Sequence, residues 1–226
     1  MRRSICVTVL LFFSISTWAL DSQTVTIKKE TPEMDLQIKY PQGFTDKRID
    51  TAVLNLVTRL QKEVSLKSSK GELSVAKSGK SSLYIDYKTV FQNAHAVSLF
   101  FSISAYTQGA AHPANSVRSL NFLNGQEITM DQLFKPKTNY LAKVAEISRR
   151  AMKKKKISDD DWIAKGTEPT IKNYQTWLFN KEGITIVFDT YQVAAYVYGP
   201  QKVKISKTEL SNLLRPEIAN SVWGNP

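Results

Sequence analysis

The sequence is short of the residues that build most catalytic and metal centres. Among 226 residues there are one cysteine, Cys6, and two histidines, His95 and His112. Cys6 lies inside the leader-like first nineteen residues, so the rest of the chain has no cysteine. That body can form no disulfide, supply no thiolate to a metal and use no cysteine nucleophile. Two histidines with no carboxylate beside them in sequence do not make a three-ligand zinc centre. Gly-x-Ser-x-Gly, His-Glu-x-x-His, a phosphate-cradling loop and the dinucleotide glycine fingerprint are all missing. No catalytic residue, metal site or cofactor is therefore expected.

Long apolar runs are also scarce, and the first residues hold the one that matters. Met1-Arg2-Arg3 is a basic start, Ile5 to Ile15 is almost wholly apolar, and Thr17-Trp18-Ala19 supplies small residues for cleavage. This pattern is that of a secretory signal peptide over residues 1–19. It is too short to be a good membrane span, and no later stretch is long and apolar enough to be one. The expected cut lies well beyond Cys6, which argues against lipidation. The mature chain is expected to begin near Leu20 or Asp21 and to be periplasmic or secreted.

Lysine and arginine number 31 against 20 acidic residues. Without Arg2 and Arg3 the balance is 29 to 20, a charge of about +9 on the mature chain. Such a field draws anions, which outside a cytoplasm means wall carboxylates, lipopolysaccharide phosphates or acidic proteins. The same excess also suits a merely soluble basic protein.

Periodicity sets the elements. Residues 23–29 and 34–40 alternate as two strands about a Thr31-Pro32-Glu33 turn. From Asp46 to Leu66 the apolar residues Ile49, Val53, Leu56, Val57, Leu60 and Val64 fall on one helical face, with Thr45 as N-cap. Lys67 to Ser82 reads as a loop or poor edge strand. Residues 83–91 and 96–106 form a long hairpin rich in β-branched and aromatic side chains. An exposed connection follows from Thr107 to Ser116, then a strand over 117–122 and the Asn124-Gly125 hairpin turn.

Ile128 to Phe134 reads as a strand end running into a helical turn. A helix over 138–155 buries Leu141, Val144, Ala145, Ile147, Ser148 and Met152. The Lys153–Lys156 run suits the negative end of that helix better than a nucleic-acid patch. Asp159, Asp160 and Asp161 suit the start of a short helix at Trp162 better than a metal site. Trp177–Asn180 and 184–188 make a hairpin, 201–205 a strand, and Ser206 with Glu209 a capping box that opens a closing helix through Leu214, stopped at Arg215-Pro216. The fold class is α+β: a mainly antiparallel sheet with two or three helices packed on it.

Three segments resemble a known family. Tyr106 to Asn115 is similar to its Y-T-G-G-A-H-P-N loop, departing at Gln108, where a second glycine is usual, and at Ala111, which adds a residue before His112. Asn124 to Phe134 is similar to its G-K-x-L-T-L-x-D-L-F segment. Trp177 to Leu210 is similar to its C-terminal block, with Tyr191, Val193, Ala194, Tyr196, Gly199, Pro200, Val203, Ile205, Glu209 and Leu210 in place. The family is an extracytoplasmic domain of unknown function shared by the anti-sigma factor RsiV, in its lysozyme-sensing part, and the non-catalytic part of the peptidoglycan deacetylase PdaC. The resemblance implies a C-terminal RsiV-like domain over 109–226, preceded by an α+β subdomain over 20–108 like the partner region of PdaC.

It also implies a binding or sensing module rather than an enzyme. The expected partner is cell-wall glycan, peptidoglycan above all, or another envelope protein; nucleic acid is not expected. Contact candidates are Tyr106, Gln108, Gly109, His112 and Asn115, with Tyr191, Tyr196 and Tyr198, because aromatic faces beside amide donors suit sugar rings. Two alternatives stand beside this reading. One is a lysozyme-binding or inhibitor protein, against which the basic charge argues. The other is a hydrolase using His112, for which spacing offers neither nucleophile nor acid; in a loop of this kind His112 suits a pinning role better.

Overall fold

Strand alternation, two amphipathic helices and a set of tight turns build two sheets. The computed structural model describes residues 22–70 and 80–224. In chain order the strands are β1 (Gln23–Glu30), β2 (Met34–Gln42), β3 (Ser81–Gln92), β4 (Ala96–Tyr106), β5 (Ala114–Leu123), β6 (Gln126–Glu127), β7 (Trp177–Asn180), β8 (Gly183–Phe188) and β9 (Gln201–Ser206). The helices are α1 (Lys47–Lys70), α2 (Tyr140–Lys155), α3 (Asp160–Gly166), α4 (Lys207–Leu210) and α5 (Pro216–Trp223). The expected signal peptide lies outside the described residues. Among the described residues no helix is long and apolar enough to cross a membrane.

The larger sheet has six strands in sequential order, β1 to β6. All its pairings are antiparallel except β2–β3, which is parallel. A parallel neighbour needs a crossover, and α1 lies in that connection. Its apolar face, Ile49, Val53, Leu56, Val57, Leu60 and Val64, is buried against Leu83, Ile85, Leu99, Phe101 and Ile103 of β3 and β4. Each such fully buried side chain contributes about 1.5–3 kcal/mol relative to exposure.

The smaller sheet, β7-β8-β9, is antiparallel. One side packs with α2, α3 and α5 in a second core around Phe179, Ile184, Ile186 and Phe188. Its other side meets the face of the large sheet opposite α1, where Phe100, Val117, Leu178 and Val187 cluster. The architecture is α+β. Position 108 falls in the β4–β5 connection, between two strands whose register runs unbroken from Ala96↔Leu123 to Ala105↔Ala114.

Several boundaries differ from expectation. The first helix is capped by Asp46, not Thr45: its carboxylate accepts from the Arg48 N–H at 3.0 Å. The expected loop from Lys67 to Ser82 is helix as far as Lys70 and strand from Ser81, with 71–79 outside the described residues. No glycine or proline interrupts residues 47–70, so nothing stops α1 sooner. The connection after β4 ends at Pro113 rather than Ser116, since Ala114 already pairs with Ala105.

At the C-terminus the capping box forms, with the Glu209 N–H donating to Ser206 Oγ at 3.2 Å. The helix it opens is a single turn, and Pro216 starts a further helix instead of only ending one. At the first helical position the missing proline N–H has no intrahelical partner to lose.

The lysine run lies where the helix dipole favours it. Lys153 pairs with Asp160 at 2.7 Å, and Lys156 takes the left-handed cap conformation. Lys155 donates to Gln201 Oε1 and to the Lys202 carbonyl, and burial lowers its pKa. Asp159 caps α3 by accepting from the Trp162 N–H at 2.8 Å.

Candidate binding site

Two segments far apart in sequence meet at one end of the large sheet. The first is the β4–β5 connection with the start of β5; the second is the link between β8 and β9. Asn115 Nδ2 donates to the Tyr196 hydroxyl at 2.7 Å, and that hydroxyl donates to the Pro113 carbonyl at 3.2 Å. The His112 ring lies 4.5 Å from the Tyr196 ring, and the Tyr191 ring 5.4 Å from it on centroids. His112 Nδ1 is 2.9 Å from the Pro113 carbonyl. A carbonyl only accepts, so Nδ1 carries a proton and donates it to this bond.

The β8–β9 link is held firmly enough to present these rings. Gln192 donates from Nε2 to the carbonyls of Gly166 and Asn173 and accepts from the Asp189 N–H. Asp189 Oδ1 accepts from the N–H groups of Val117 and Thr190, and Oδ2 pairs with Arg118 at 3.3 Å. Burial raises the Asp189 pKa, opposed by those N–H donors and by Arg118. The Trp162 indole donates to the Tyr191 carbonyl at 3.0 Å. Tyr191 itself has φ +67°. That left-handed conformation costs on the order of 1 kcal/mol for a bulky residue and is kept by the clamps around it. Its side chain is 51% exposed, leaving much of the ring open to a partner.

His112, Asn115, Tyr191 and Tyr196 thus come together. The other candidates are placed differently. Tyr106 ends β4 opposite Ser82, and the Gln108 N–H donates to Ser81 Oγ, tying the connection to the start of β3. Gly109 has φ +87° in the exposed turn that the Ala110 N–H closes onto the Thr107 carbonyl. Tyr198 is half-exposed and accepts from Gln201 Nε2 through its carbonyl.

Beside the cluster, the outer face of the large sheet carries an open groove of about 420 Å³, and Asn115 and Pro200 form one wall. Lys28, Lys39, Tyr84, Asp86 and Ser104 also line it. Of the groove residues, Asn115 and Pro200 stand out in the sequence, through the family resemblance. Lys28, Lys39, Asp86 and Ser104 occupy the polar half of their strands' alternation, a signal that marks them as outward but not as neighbours. Among the described residues no three His, Cys, Asp or Glu side chains gather as a metal site. The arrangement offers aromatic faces, hydroxyls and an amide to a partner, a chemistry of contact.

Fold and site together define a two-sheet α+β protein with an exposed aromatic cluster where the sheets meet. Residues 131–208 match the model of the DUF3298 family, described as a protein of unknown function. The peptidoglycan-N-acetylmuramic acid deacetylase PdaC of Bacillus subtilis (strain 168) is 26% identical to this chain over 199 residues, 86% of the chain and 42% of PdaC. The chain therefore spans about two fifths of the length of that curated relative. Crystal structures of DUF3298 proteins from Bacteroides fragilis NCTC 9343 and Pseudomonas aeruginosa PAO1 superpose on it with a TM-score of 0.64 each. Each is 16% identical, covering 92% of this chain and 98% of the other, and shows that the fold is shared.

Proposed function

We propose that this protein is a non-enzymatic binding module of the cell envelope that grips peptidoglycan or a protein acting on it. The observation that carries the reading is the meeting of His112, Asn115, Tyr191 and Tyr196 as one ring-lined surface. The hydrogen bonds of Asn115 and Tyr196 fix these groups for contact, and the His112 Nδ1–H is directed to a main-chain carbonyl. The relationship to PdaC supports an envelope role, and the leader-like N-terminus and basic charge support a site of action outside the cytoplasm. Exposed aromatic faces beside hydroxyl and amide groups suit sugar rings, whose C–H faces stack while their hydroxyls bond.

The test is retention of purified protein on sacculi, with a His112→Ala/Tyr196→Ala variant and an unrelated basic protein as controls. Retention above the basic control that falls in the double variant supports the reading. Retention no better than the basic control rejects glycan binding, and inhibition of lysozymes of differing charge would then point to the protein-binding alternative. Turnover of peptidoglycan or ester substrates that is lost in His112→Ala would replace the reading with a hydrolase.

A further inference from the structure

We propose that the groove on the open face of the six-stranded sheet binds an acidic saccharide, a sugar ring bearing a carboxylate. The proposal rests on the envelope-binding reading above and names the ligand chemistry. At about 420 Å³ the groove has the size of small-ligand sites, which run from about 300 to 1,000 Å³. It lies where the small sheet no longer covers the large one, beyond the Phe100–Val117 contact.

Its two ends differ in chemistry. At one end Ser102, Ser104 and Asn115 present hydroxyls and an amide, and from β3 in the middle of the groove Asp86 presents a carboxylate. Sugar hydroxyls both donate and accept, and this set answers both roles. At the other end Lys28 and Lys39 lie on adjacent strands as diagonal neighbours on one face, two residues out of register, since Lys28 pairs with Gln37 and Thr26 with Lys39. Among the described ion pairs neither lysine has a carboxylate partner. Both ammonium groups line the groove outside any of these ion pairs, while the nearby Asp35 carboxylate is taken up by Tyr84, so a neutral sugar leaves the two cations unanswered. Between the two ends stands Tyr84, 39% exposed, whose hydroxyl donates to Asp35 at 2.6 Å and so holds its ring. A fixed aromatic ring between hydrogen-bonding groups and paired cations matches a ring with hydroxyls on one side and an anionic substituent on the other.

The experiment is an amide chemical-shift titration of the labelled protein with N-acetylmuramic acid and with N-acetylglucosamine, which lacks the carboxylate. The acid is expected to move amides in Thr26–Lys28, Gln37–Lys39, Tyr84–Asp86 and Ser102–Ser104, and to bind about tenfold more tightly than the neutral sugar. Lys28→Gln/Lys39→Gln, at exposed positions that leave the core intact, is expected to bring the acid down to the neutral sugar's affinity. Tyr84→Ala is expected to weaken both. Equal affinities for the two sugars, shifts confined to other regions, or a double lysine variant that binds the acid like the wild type would each overturn the proposal. Sacculus retention separates the two readings. If Lys28→Gln/Lys39→Gln is retained fully while His112→Ala/Tyr196→Ala is not, the groove is wrong and the envelope reading stands.

Discussion

The side-chain amide of Asn121 donates to the main-chain carbonyl of Trp177 across 2.7 Å and fastens the edge of one sheet to the face of the other. It does not act alone. The Phe179 N–H donates to Ser98 Oγ at 2.8 Å, the Ser98 hydroxyl donates to Asn121 Oδ1 at 2.5 Å, and the Trp177 N–H donates to Ser119 Oγ at 3.1 Å. These side chains take the place of a neighbouring strand along the free edge of β7. Ser98 and Asn121 are almost wholly buried, so their bonds have no water to fall back on.

Ser98→Ala strands the Phe179 N–H and is expected to cost about 2 kcal/mol, because a buried unsatisfied donor loses its full desolvation penalty. Asn121→Leu strands the Trp177 carbonyl and is expected to cost at least as much. The double variant is expected to cost less than the two singles together, since they share a bond. Urea unfolding of the three variants measures this; strict additivity would show that the network does not act as a unit.

Tyr196 separates the two ways in which the candidate cluster is held. Tyr196→Phe keeps the ring against His112 and removes the hydroxyl that bridges Asn115 and Pro113. A loss of about 1 kcal/mol in stability is expected, with sacculus retention reduced but present. Tyr196→Ala removes the stacking surface as well and is expected to abolish retention. Equal retention in the phenylalanine and alanine variants would show that the hydroxyl, not the ring, carries the contact.

The sequence is most legible where a single periodicity governs a single partner. The buried face of α1, the long β3–β4 hairpin and the Asn124-Gly125 turn are all plain from spacing. It is least legible where a residue's role depends on what arrives from elsewhere. Ser119 and Asn121 read as the polar half of a strand's alternation, yet the small sheet covers them and makes them structural. Pro216 reads as a stop and acts as a start, because a local rule does not say whether the chain turns into a new helix. The cluster is half legible. Its residues stand out through the family resemblance, but the Asn115–Tyr196 bond joins positions 81 apart and no local pattern encodes it. Asp46 outcompetes Thr45 as a cap because the hairpin turn brings the Asn124 carbonyl beside Arg48, which also grips the Asp46 carboxylate.

Two carboxylates are expected to bend the stability profile in opposite directions. Asp46 is held down to about 2, from its ordinary 3.8, chiefly by the Arg48 side chain and then by the Arg48 N–H. The unfolded chain takes up this proton first as pH falls, so its contribution is present above about 3.8 and is lost toward 2. Asp189 is raised by burial, so the folded chain binds its proton first, and stability falls as pH rises from the ordinary value of 3.8 through the raised one. Asp189→Asn keeps an Oδ1 acceptor for the Val117 and Thr190 N–H groups and removes the titration. Thermal midpoints measured from pH 2 to 6 are expected to lose their decline above pH 4 in this variant. In Asp46→Asn, which still caps α1, they are expected to lose part of the acid-side drop. A decline above pH 4 that survives in Asp189→Asn would assign it to another group.

Gly166 links the structural and candidate functional parts of the molecule. It ends α3, and its carbonyl accepts from Gln192, which anchors the segment carrying Tyr191 and Tyr196. A methyl group at this position would collide with the Gln192 carbonyl and lie 2.8 Å from Val193 Cγ1. The obstacle is main chain, which cannot swing aside as a side-chain tip does. Gly166→Ala is therefore expected to push the β8–β9 link away from α3, break the Gln192 clamp and destabilise by about 1–3 kcal/mol, as overpacking does. Because Asp189 is hydrogen-bonded to Gln192 and to β5, the displacement is expected to reach the Tyr196–Asn115 bond. Amide shifts at Val117 and Thr190, read beside sacculus retention, check this. Unfolding that weakens while those shifts and the retention stay unchanged would show that the link repacks locally and that the cluster is held by β5 alone.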